Sequence, residues 1–132
     1  MSDQPLEGGS QLDRPTRLLV SIGGYFGRSY TVSLQKSALR YQSFEEGAPL
    51  ADELLVPTGR HWRAFLSALD SADVWGWLPD YQDPGTVDGT SWSIEISWGE
   101  RSLVSQGANA FPTAFDDLLA AVSQLVGGRA FE

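Results

Sequence analysis

The chain contains no cysteine. That excludes disulfides, thiolate nucleophiles, iron–sulfur clusters and cysteine-based zinc sites. It has one histidine, His61. A lone imidazole, without cysteine or a recognisable nucleophile motif, is a poor basis for a catalytic triad. Basic residues are few, 9 against 17 acidic ones, for a net charge of −8. A chain of that sign repels phosphate backbones, so no nucleic-acid partner is expected. Attraction to a cationic protein is allowed, and the same acidity favours solubility. No apolar run approaches the roughly 20 residues that span a bilayer. Residues 1–14 lack the basic region and apolar stretch of a signal peptide. The expectation is a cytoplasmic protein without a membrane partner. A flexible leader is expected over residues 1–14 and a single domain over residues 15–132.

Aromatic residues are what the chain has in quantity: five Trp, six Phe and four Tyr. Burying one Trp removes roughly 200 Å² from water and contributes on the order of 5 kcal/mol before ordering costs. A core can therefore form without covalent staples.

Hydrophobic periodicity orders the elements. Leu18–Ile22 is a short apolar run between Pro15 and Gly23-Gly24 and reads as a buried strand. Tyr30, Val32 and Leu34 alternate with Ser29, Thr31 and Ser33, the period of a half-buried strand. Leu39–Phe44 makes a third. Three strands so close in sequence predict an antiparallel meander. Glu45–Asp52 reads as a loop, and Glu53–Val56 as a short extra strand ended by Pro57. Thr58 suits a helix cap. Trp62, Phe65, Leu66 and Leu69 then form one apolar stripe, predicting a helix over about residues 59–71. Trp92, Ile94, Ile96 and Trp98 alternate with serines and Glu95, Gly99-Glu100 turns the chain, and Arg101–Gln106 returns. Thr113 with Asp116 three residues on suits a second helix start. Phe115, Leu118, Leu119, Val122 and Leu125 continue it until Gly127-Gly128. The order β-β-β-(β)-α-β-β-α predicts a two-layer α+β fold. Its antiparallel sheet has about five or six strands, with both helices on one face.

Residues 73–90 form a long connection dense in turn formers, and loops of that length are often functional. Trp75, Trp77 and Tyr81 are candidates for an aromatic binding platform. At least one of these tryptophans is expected to close over the helix–sheet seam instead. Asp80, Asp83 and Asp88 share the loop, but their spacing does not match a calcium-binding helix–loop–helix, and Asp is a standard turn former. No metal and no cofactor is assigned. Glu45 and Glu46 are adjacent and point apart in extended backbone, so they are no paired-carboxylate site. The glycine pairs lack phosphate-loop spacing. Asn109 suits a turn that hydrogen-bonds nearby peptide groups.

Three segments in order carry a resemblance: Trp75-x-Trp77-x3-Tyr81, Asp88-Gly89-x2-Trp92, and Ser105-x-Gly107-x-Asn109-Ala110-Phe111-Pro112. Over roughly residues 60–126 the chain resembles a small, uncharacterised bacterial domain family with a W-x-W…Y…DG-x-x-W…G-x-N-x-x-P series. The resemblance implies one intact domain and a shared use of these residues, and it brings no activity. Asp88 and Asn109 would hold the two loops side by side. The rim so formed is Trp77, Tyr81, Asp88 and Asn109, and with Trp75 and Asp80 of the same connection these are the candidate binding residues. With no catalytic residue assigned, the reading is a non-enzymatic protein-interaction module, immunity-type or regulatory, with a partner that is a cationic protein. The alternatives are a small-ligand or carbohydrate-binding domain using the loop aromatics, and a metal-dependent hydrolase using the loop aspartates.

Overall fold

The computed structural model describes residues 13–24, 27–85 and 89–132. The alternating N-terminal half forms four antiparallel strands: β1 (Arg17–Gly24), β2 (Arg28–Gln35), β3 (Ala38–Glu45) and β4 (Ala48–Leu55). Most of the expected Glu45–Asp52 loop is thus strand. Glu46 and Gly47 both take left-handed backbone, at φ 51° and 87°, and close a two-residue hairpin. Pro49 lacks an N–H, yet β4 lies at the sheet edge, where proline is tolerated. A register shift between Ser43 and Phe44 absorbs the extra residue.

Helix α1 (Gly59–Ala72) follows, then a single 3₁₀ turn at Val74–Gly76. Thr58 caps α1: its hydroxyl accepts from the His61 amide at 3.2 Å, and the Thr58 N–H donates back to His61 Nδ1 at 3.4 Å. The sole histidine therefore completes a reciprocal cap. Next come β5 (Asp80–Gln82), β6 (Thr90–Trp98), β7 (Arg101–Ala108) and α2 (Phe115–Leu125).

The seven strands among the described residues join one sheet in the order β4-β3-β2-β1-β6-β7-β5. The fold is α+β as expected. The expected count of five or six purely antiparallel strands is corrected, because β5 adds a seventh, parallel to β7. Residues 80–82 show no alternation in the sequence. Backbone bonds recruit them, from Gln106 N–H to Pro79 O and from Asp83 N–H to Ala108 O, each 3.0 Å.

Leu18, Val20, Ile22, Val32, Leu39, Ile94 and Ile96 bury one face of the sheet in a common core with Trp62, Phe65 and Leu69 of α1 and Leu118 and Val122 of α2. The other face carries the hydroxyls, with Ser21 in register with Thr31 and Ser93. The start of α2 differs from expectation. Its N-cap is Ala114, left-handed at φ 69° with no side-chain cap, so Thr113 does not cap it. Gly127 and Gly128, at φ 74° and 86°, end it as expected. The last residues dock onto the sheet: Phe131 is buried against Tyr30, and Tyr41 Oη donates to Ala130 O at 2.7 Å. Among the described residues, no helix is long and apolar enough to cross a membrane.

Candidate functional site

The connection after α1 and the turn after β7 meet at one end of the sheet, and Asn109 joins them. At φ 60° it takes the left-handed backbone that asparagine tolerates. Its N–H donates to Thr90 O and its Oδ1 accepts from Thr90 N–H, both at 2.8 Å. Gly89 leaves the room for this: a Cβ there would lie 1.4 Å from Asn109 Oδ1. Close by, Trp92 is buried, and its indole N–H donates to Ala110 O at 2.9 Å. Gly107 opposes that ring so tightly that a Cβ would sit 2.4 Å from Nε1.

Trp92 is the hub of an aromatic cluster. Its centroid is 4.9 Å from Phe115, 5.8 Å from Tyr81 and 6.1 Å from Trp77. Phe115 in turn packs against Trp77 at 6.2 Å and Phe111 at 5.0 Å. Trp77 and Tyr81 are half-buried, and the Tyr81 hydroxyl accepts from Leu78 N–H at 2.9 Å. Ser105 Oγ donates to Leu78 O, pinning the same loop to β7.

Trp75 stands apart from this cluster. Its indole N–H donates to Asp70 Oδ1 at 2.9 Å, and Arg101 reaches the same oxygen at 2.8 Å. The Arg101 guanidinium also lies over the Trp75 ring, 4.6 Å from its centroid. This arrangement ties the end of α1 to the β6–β7 hairpin. Asp80 is exposed and accepts from Gln82 Nε2 at 2.9 Å. Asp83 Oδ1 accepts from Gly85 N–H at 3.2 Å, a turn-stabilising bond. Asp88 lies outside the described residues. Of the six candidates, the fold thus groups Trp77 and Tyr81 around Trp92, places Asn109 at the junction, and puts Trp75 and Asp80 elsewhere. Among the described residues, no three His, Asp or Glu side chains gather as a metal site.

A cleft of about 510 Å³ opens beside the cluster. Its apolar walls are Ile22, Phe111, Pro112, Phe115 and Leu119, and its charged lining is Arg28, Asp116 and Glu132. Among the described residues that line it, two carboxylates stand against one guanidinium, an acidic balance. Phe111, 46 % exposed, stands on its wall. The sequence places Phe115 and Leu119 in a core stripe, Phe111 in the turn motif and Asp116 at the start of the second helix, none of them as a binding residue, and gives no role to Arg28 or Glu132. The available signal was Phe111-Pro112 itself, a large aromatic placed in a turn rather than on a helix or strand stripe. Among the described residues, the ionisable groups with displaced pKa values are not part of the cleft lining: Arg40 with Asp52, Arg129 with Glu53, and buried Tyr41. No family model matches the chain, and neither does any curated protein.

Proposed function

We propose that the chain is a non-enzymatic protein-interaction module, immunity-type or regulatory, that engages a cationic protein segment at the cleft beside Phe111. The observation that carries this reading is an apolar cleft with an exposed aromatic on its wall and an acidic lining, on a chain of net charge −8. Aromatic anchors in partly desolvated pockets contribute most at protein interfaces, and opposite charge speeds encounter. The segment that fits presents a bulky apolar side chain to Phe111 and Phe115, with a lysine or arginine beside it for Asp116 or Glu132.

The test is a calorimetric titration with a peptide of alternating lysine and phenylalanine. Saturable binding is expected, weaker as salt rises, and weakened at least about tenfold by Phe111→Ser. Absence of saturable heat at low salt, or binding indifferent to Phe111→Ser, overturns the reading.

A second reading, small-ligand binding, is favoured by the cleft's size, which falls within the roughly 300–1,000 Å³ of ligand pockets. A stacking platform for sugars has less support, because Trp75 is covered by Arg101 and Trp77 packs on Trp92 and Phe115. A metabolite and glycan panel followed by tryptophan emission separates the two. Saturable quenching by a small molecule, with no heat from the peptide, favours the second.

A further inference from the structure

Arg17, Arg28 and Arg40 each have a carboxylate on a neighbouring strand. Two of them use it. Arg17 on β1 reaches Glu95 on β6 at 2.6 Å, and Arg40 on β3 reaches Asp52 on β4 at 2.6 Å. Arg28, the first residue of β2, stands directly opposite Glu45, the last of β3. Directly opposed side chains share a sheet face and lie within reach of each other. Yet the two form no ion pair, and the Arg28 guanidinium has no ion-pair or hydrogen-bond partner among the described residues. Alternation with buried Tyr30 and Val32 puts Arg28 on the core-side face of β2. There it lines the cleft beside Phe111.

An unpaired guanidinium works against a ligand that is basic throughout. Such a segment would bring lysines toward Arg28 and displace its water, and a charge desolvated without a counter-ion is costly. The same lining holds Asp116 of α2 and Glu132. Neither of these carboxylates pairs with Arg28. Charges of both signs thus border one apolar cleft without neutralising each other. The chemistry that satisfies both is bipolar: a cation for Asp116 or Glu132, a carboxylate for Arg28, and an apolar side chain for Phe111 and Phe115. Arginine suits a carboxylate because its planar fork donates two parallel N–H bonds.

We infer, resting on the recognition role proposed above for this cleft, that Arg28 selects a carboxylate in the bound segment. The segment is bipolar rather than uniformly basic, and Arg28 determines that specificity. Two sources supply the carboxylate: the free end of a chain, or an Asp or Glu side chain beside the apolar anchor. The long-range field works the other way. The chain carries a net charge of −8, so each negative charge added to a peptide weakens its attraction to the molecule as a whole. Only a local contact turns an added carboxylate into tighter binding.

Calorimetry of the full chain with three peptides tests this. They are the lysine–phenylalanine peptide ending in a carboxamide, the same peptide ending in a free carboxylate, and the carboxamide peptide carrying one added glutamate. At least one carboxylate peptide should bind about threefold tighter than the carboxamide, or more, the scale of a partly exposed ion pair. A gain from the free end alone assigns a chain terminus, and a gain from glutamate assigns a side chain. Arg28→Gln should erase the gain and leave carboxamide binding no weaker. Arg63→Gln removes the same charge from an exposed position on α1 outside the cleft lining and should preserve the gain. Circular dichroism of each variant establishes that it is folded. Equal affinity for all three peptides overturns the inference and leaves the cleft's recognition role standing. So does a gain that survives Arg28→Gln, or one that Arg63→Gln removes equally. Binding by none of the peptides removes the recognition role and this inference with it.

Discussion

The contact between Gly107 and the Trp92 indole is the tightest fit at the loop junction, and a single methyl group tests it. With a Cβ only 2.4 Å from Nε1, Gly107→Ala must displace either the ring or the strand. A loss of about 1–3 kcal/mol is expected, the usual cost of overpacking, read from urea unfolding; an unchanged midpoint would mean the ring has room. Asn109→Ala removes the acceptor for Thr90 N–H and leaves a Cβ-bearing residue at φ 60°. It should cost about 1–3 kcal/mol as well. Phe111 is the opposite case. Half-exposed on the cleft wall, it should tolerate serine within roughly 0.5–1 kcal/mol of stability while peptide binding falls. That split between stability and binding is the signature of a recognition residue. These roles were partly legible in the chain: Asn109 and Trp92 stood out by residue type. The interlock of Asn109 with Gly89, and of Trp92 with Gly107, was not. It is a matter of ångström-scale clearance between segments distant in sequence, and composition carries no trace of it.

At the scale of elements, local signals were read well wherever one face of an element is buried. Trp62, Phe65 and Leu69 gave α1, and Trp92 to Trp98 gave β6, because burial on one side imposes a period. Thr58→Ala should lower stability by about 1 kcal/mol through loss of the α1 cap; an equal effect from Ser substitution at Thr58 would deny the hydroxyl's role. Where no period exists, the reading failed. β5 has none, and backbone bonds from β7 hold it. The start of β4, Ala48 to Leu50, is exposed and holds a proline, so it resembles a loop in the sequence. The start of α2 looked capped at Thr113, but the chain enters through left-handed Ala114 instead. The β4 edge also carries a pH dependence. Hydrogen bonds from Arg40 and Arg129 hold the Asp52 and Glu53 carboxyls below their ordinary values. A carboxyl with a lowered folded value stabilises the fold above its unfolded value and loses that contribution as pH falls through the folded one. Thermal stability should therefore decline below about pH 4, and less steeply in an Asp52→Asn, Glu53→Gln double variant. Burial raises Tyr41, so its contribution is present below about pH 10 and fades as pH climbs through the raised value.

Across the whole molecule, one sheet separates two surfaces of different chemistry. The loop end carries an aromatic hub and an acidic cleft; the β4 edge carries exposed Leu50 and Leu54 beside the ion pairs of Asp52 with Arg40 and Glu53 with Arg129. The sequence indicated the first by its cluster of tryptophans, though those rings serve mainly as the wall's support, and the exposed aromatic among the described residues is Phe111. The second was invisible, because charge balance at an edge depends on Arg40 and Arg129 arriving from elsewhere in the chain. The most direct measurement of the proposed recognition surface uses the five tryptophans as fixed reporters. Indole N–H signals are followed by ¹⁵N NMR as the lysine–phenylalanine peptide is added. Trp92 and Trp77 touch Phe115, which lines the cleft, and should shift and saturate together. Trp62 and Trp98 pack on each other and Phe65 and should stay in place, as should Trp75 beneath Arg101. Shifts confined to Trp75, or no shift in Trp92 and Trp77 up to millimolar peptide, would contradict the cleft as the binding surface.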